Sequence, residues 1–124
     1  MVTLSDYLRA ATAERFELAR VNCLLWVARW VALQTGINPA ADWRGELELD
    51  VDGKPTLDVE ATAIAAMAPF KPTATPRRGD VGLVRAPQPT AAICLGRRWA
   101  ALAPQGLAVA AWPFIRAWEL PRHA

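Results

Sequence analysis

The sequence predicts an α+β fold, helices first and strands after. Residues up to about 70 carry helical stripes and capping residues, while the stretch after Gly79 breaks into five short apolar runs. Between them, Pro69, Pro72 and Pro76 stop helix formation. At 124 residues the chain is expected to be a single domain, 1–124, helical over about 1–70 and β over about 79–120.

The elements follow in order. Residues 4–17 form a moderate stripe through Leu4, Leu8, Ala11 and Phe16, with Thr3 or Ser5 as caps. Residues 23–35 are apolar nearly all round, which predicts a central buried helix, capped by Asn22 and ended by Gly36. Asn38-Pro39 then opens a short turn of helix, because proline suits the first helical position. An alanine-rich third helix spans 57–68 behind Thr56. The strands are read at 81–85, 91–95, 99–103, 107–110 and 115–120, separated by APQP, GRR, PQG and WPF turns. They are expected to form a small, strongly curved antiparallel sheet with the buried helix on its face.

Composition excludes several classes. The chain is 53% hydrophobic with a net charge of +2, unlike a disordered segment. No run approaches the roughly 20 consecutive apolar residues of a membrane span. The N-terminus has no basic start followed by an apolar stretch, so no secretory signal is read and synthesis in the cytosol with free thiols is expected. Arginine dominates the basic residues and alanine is the commonest residue, a bias of GC-rich bacterial genomes and their phages. Two cysteines build no disulfide framework and no zinc site. The acidic residues Asp42, Glu46, Glu48, Asp50, Asp52, Asp58 and Glu60 lack the spacing of a calcium loop, and DVDG at 50–53 is read as a turn. No metal and no cofactor is therefore expected. Charge is uneven: the balance is +1 over residues 1–41, −5 over 42–70 and +6 over 71–124. The pairs Arg77-Arg78 and Arg97-Arg98 are too few, at a pI of 8.8, to make nucleic acid the expected partner.

Cys23 carries the most chemical information. A cysteine in the first turn of a buried helix receives thiolate-stabilising backbone N–H groups, and a histidine on a facing strand takes its proton. The only histidine is His123, the second-last residue. Cys94 falls inside a predicted strand and is read as packing. Spacing alone leaves a Cys23–Cys94 disulfide open, and the expected compartment argues against it.

Together NCLLWVARWV (22–31), TGINPAADWRG (35–45), RRGDVGLV (77–84), AAICLG (91–96) and the closing WAALAPQGLAVAAWPFIRAWEL (99–120) resemble the NlpC-type, papain-fold cell-wall peptidases. The resemblance is nearest to their small relatives in tailed phages, prophages and gene transfer agents, and covers roughly residues 15–120. It implies a reduced papain-like (NlpC-like) domain with Cys23 as the nucleophile or its vestige. Two positions depart from the family pattern. Asn22 stands where the active enzymes usually have aspartate. Thr90, or by a slip Ala91 or Ala92, stands where they have histidine. Without a proton acceptor there, little thiolate forms at neutral pH.

The expected function is therefore a catalytically degenerate, peptidase-like structural or adaptor subunit in the tail tip or baseplate region of a phage or phage-like particle. Its partners would be tail protein subunits. An active cysteine peptidase or amidase opening peptidoglycan during DNA delivery is the alternative, with the base supplied by His123 or a neighbouring subunit. A non-catalytic peptidoglycan-binding module is the third reading. The chain holds six tryptophans, Trp26, Trp30, Trp43, Trp99, Trp112 and Trp118. Trp26 and Trp30, four apart, are expected in the core, and any exposed remainder would suit a protein interface.

Overall fold

The computed structural model describes residues 3–11, 19–39, 59–86, 88–103 and 106–121. They form three helices and one six-stranded antiparallel sheet, an α+β arrangement. The helices are α1 (Leu4–Ala11), α2 (Ala19–Thr35) and α3 (Val59–Ala66); the strands are β1 (Lys71–Pro72), β2 (Val81–Arg85), β3 (Pro89–Cys94), β4 (Trp99–Ala103), β5 (Gly106–Ala110) and β6 (Phe114–Glu119). Their order in the sheet is β1-β6-β2-β3-β4-β5.

Local chemistry sets most of these ends. The Thr3 hydroxyl accepts the Asp6 N–H at 3.1 Å, the cap expected for α1. Phe16, Trp43, the acidic run from Asp42 to Asp58, Thr56 and His123 lie outside the described residues. Gly36 ends α2 at φ +78°, with its N–H on the Ala32 carbonyl at 2.9 Å. The start of α2 corrects the sequence expectation: the helix already runs at Ala19, so Asn22 lies inside it and not at its cap position. Asparagine inside a helix costs under about 1 kcal/mol, and packing overrides that. Gly36 is a bend, Ile37 and Asn38 have no regular structure and Pro39 is a turn residue; the rest of the short helical turn expected from Asn38-Pro39 lies outside the described residues. Strand β1 was not foreseen, because two exposed residues, one a proline, carry no apolar pattern. At a sheet edge such a proline is tolerated.

The sheet is strongly coiled, and chain length requires it. Only Ala111–Pro113 connect β5 to β6, so Ala110 and Phe114 lie at most about 14 Å apart. In a flat sheet these strands, four spacings apart, would be separated laterally by about 19 Å. The sheet therefore wraps, and the rings of Trp99 on β4 and Phe114 on β6 meet with centroids 5.7 Å apart.

Two apolar layers result. On one face α2 packs with Trp26, Trp30 and Val31 buried among Val81, Leu83, Ile93 and Leu102, while Arg29 and Leu33 are exposed. Tyr7 from α1 stacks on Trp26 at 5.4 Å and donates its hydroxyl proton to the Trp26 carbonyl. On the other face Val84, Ala92, Cys94, Ala101 and Ala117 enclose Trp99. Ala117, Gly82 and Ala92 stand in register across β6, β2 and β3. These small residues make the bed for the indole: a Cβ on Gly82 would lie 2.9 Å from the Trp99 Cη2 and 2.6 Å from the Arg116 carbonyl oxygen.

Candidate functional site

Helix α2 presents Cys23 to the middle of β3. The side chain is 2% exposed, and its Sγ donates to the Ala91 carbonyl oxygen at 2.8 Å. Cys23 is the fifth residue of α2, not a first-turn residue. This corrects the expectation that free N–H groups of a helix start surround the thiol, because that effect falls away beyond the first turn.

The strand positions expected to bear a base are separated by the pleat. Ala91 shares the helix-covered face with Ile93 and meets the thiol. Ala92 faces the Trp99 layer. Thr90 is half-buried near the strand start, its hydroxyl donating to the Gln88 carbonyl at 2.9 Å. The β3 group facing Cys23 is thus a backbone carbonyl, which accepts a hydrogen bond but does not act as a base. In this geometry the thiol is the hydrogen-bond donor and the strand offers it a carbonyl acceptor.

Cys94 belongs to the opposite layer. Its sulfur accepts the Gly96 N–H at 3.3 Å, and both cysteines are free and buried. The sheet separates them, so the Cys23–Cys94 disulfide left open by spacing does not form.

Asp80 is the buried charged side chain of the described residues, at 1% exposure, and its place in RRGDVGLV (77–84) did not single it out in the sequence. Its carboxylate accepts the Arg77 N–H at 2.8 Å and the Leu120 N–H at 3.1 Å. Its own carbonyl accepts the Cys94 N–H at 2.7 Å. One residue thereby ties the turn before β2 to β3 and to the end of β6, which is structural work. The Trp30 Nε1–H donates to the Gly79 carbonyl at 2.9 Å and fixes the same turn to α2. The Gly79-Asp80 pair directly before the apolar run at 81–84 is the sequence signal for this staple, and the glycine takes φ +97° in the turn.

Helices α2 and α3 and the sheet leave a cavity of about 30 Å³ walled by Leu24, Val27, Val31, Met67, Ala91 and Trp118. Its lining is apolar, and its volume is far below the several hundred Å³ of a ligand pocket. Among the described residues no three His, Cys, Asp or Glu side chains gather to hold a metal ion. Among the same residues no helix is long and apolar enough to cross a membrane. Four of the tryptophans, Trp26, Trp30, Trp99 and Trp118, are core residues and Trp112 packs half-buried on the second layer. Among the described residues, no tryptophan is left to serve as an exposed anchor.

Fold and site define an α+β protein whose cysteine-bearing helix packs on a coiled antiparallel sheet. The chain belongs to the DUF6950 family, described as a domain of unknown function, whose model matches residues 2–120. No curated protein matches the chain. Nor does any solved structure.

Proposed function

We propose that this protein is a peptidase-like domain without peptidase chemistry, acting as a structural or adaptor subunit in the tail tip or baseplate region of a phage or phage-like particle. The observation that carries the first half is the Cys23–Ala91 pair. The thiol proton is directed at a backbone carbonyl, and alanine occupies the strand position facing it. A cysteine nucleophile needs a side chain that removes that proton. The cysteine helix lying on an antiparallel sheet supports a reduced papain-like scaffold. The phage assignment rests on the sequence resemblance over roughly residues 15–120. In this reading the protein is made in the bacterial cytoplasm and carried in the particle, with tail proteins as partners.

The test is incubation of the purified protein with peptidoglycan fragments, followed by mass spectrometry against Cys23→Ala. Unchanged fragments with both proteins are expected. Cleavage that depends on Cys23 would establish the active amidase reading instead. The adaptor half is tested by tagging the protein in a producing strain and sedimenting the particles. Co-sedimentation at fixed stoichiometry with tail proteins is expected, and its absence removes the assignment.

A further inference from the structure

We infer that the end of the sheet carrying Arg77, Arg78, Arg97 and Arg98 is a docking surface for an acidic patch on another protein. The two pairs lie twenty residues apart in sequence. Antiparallel pairing of Val81 with Ile93 brings the start of β2 and the end of β3 to one end of the sheet. There the turn Arg77–Asp80 closes through the Asp80 N–H on the Arg77 carbonyl at 2.9 Å, and the turn Leu95–Arg98 closes through the Leu95 N–H on the Arg98 carbonyl at 2.8 Å. The turns are joined directly: Gly79 N–H donates to the Cys94 carbonyl at 2.8 Å and Cys94 N–H to the Asp80 carbonyl at 2.7 Å.

All four arginines are exposed. Arg78 is steadied by a bond from its guanidinium to the Ser5 hydroxyl at 3.4 Å. The carboxylate of Asp80, in the same turn, points inward onto backbone N–H groups. Glu119, at the same end, lies 3.8 Å from Lys71. Guanidinium groups exposed on two stitched turns can be met by several carboxylates of one surface at once. Turns held this firmly lose little freedom on binding, and each guanidinium fork matches a carboxylate.

The same observations disfavour nucleic acid. The net charge of +2 and the −5 balance over residues 42–70 give a weak long-range field. The aromatic side chains near these turns, Trp30, Trp99 and Trp118, are buried and offer no stacking platform. The inference stands on the two turns and does not depend on the state of Cys23.

The test compares wild type with Arg77→Glu/Arg97→Glu/Arg98→Glu, keeping Arg78 for its contact with Ser5. Two labelled probes of matched charge are used, a glutamate-rich peptide and a DNA duplex, at physiological salt. Fluorescence anisotropy reads binding, and circular dichroism with tryptophan emission verifies that the variant is folded. If the triple variant does not fold, Arg97→Gln/Arg98→Gln at the hairpin tip alone takes its place. Binding of the acidic peptide at least tenfold tighter to wild type than to the variant is expected. Equal binding by both proteins overturns the inference, as does tighter binding of the duplex than of the peptide.

Discussion

The Cys23 thiol donates to the carbonyl oxygen of Ala91, 2.8 Å away and 68 residues along the chain. This bond joins the second turn of α2 to the middle of β3 and directs the thiol proton of a potential nucleophile at a backbone carbonyl. A thiol used in this way is a small apolar residue with a weak donor, a common role for buried cysteine.

Neither cysteine should react readily in the native protein. Cys23 is 2% exposed, and Cys94 is fully buried in the other layer. A thiol-specific disulfide reagent is expected to label both quickly in concentrated guanidinium chloride and neither at a comparable rate in native buffer. Rapid native labelling of Cys23 would show an accessible thiolate and would remove the main support for a chemically silent site.

Gly82→Ala should destabilise the fold by about 1–3 kcal/mol, the usual cost of forcing a methyl group into a filled core. The added Cβ would meet backbone at 2.6 Å, where little can give, and the Trp99 ring at 2.9 Å. Urea unfolding followed by tryptophan emission measures the loss. A cycle with Trp99→Leu should show coupling between the two positions, because the indole is one of the two obstructions.

Asp80→Ala should cost about 2–3 kcal/mol, since it leaves the Arg77 and Leu120 N–H groups without their carboxylate acceptor. Asp80→Asn, which retains one carbonyl oxygen, should cost less. Hydrogen exchange is the discriminating measurement: the amides of Arg77 and Leu120 should lose protection in the alanine variant while those of α2 keep it.

Trp30→Phe should cost about 1 kcal/mol beyond any packing change, because the Gly79 carbonyl loses its indole donor. The turn holding Arg77 and Arg78 would loosen with it. A denaturation midpoint unchanged from wild type would show that the bond adds nothing net.

Much of the fold was legible because its signals are local. Turn residues bracket short apolar runs from Val81 onward, and the described strands fall within a residue or two of those runs. Gly36 ended the central helix as its freedom at positive φ implies. The errors were also local. Asn22 is a preferred cap residue, yet helix-forming neighbours carry α2 through it. Lys71-Pro72 has no strand pattern and pairs only because β6 arrives beside it.

Counting residues was enough to leave one histidine, at the chain's end, and to place Cys23 on a buried helix before a sheet. It could not choose among Thr90, Ala91 and Ala92 as the neighbour of that cysteine, nor bring the two arginine pairs together. Those outcomes depend on strand register, and a slip of one residue turns every side chain to the other face. Register is settled by contacts between β2, β3 and β6 that are distant in sequence, so Ala91 meets Cys23 while Ala92 lies under Trp99.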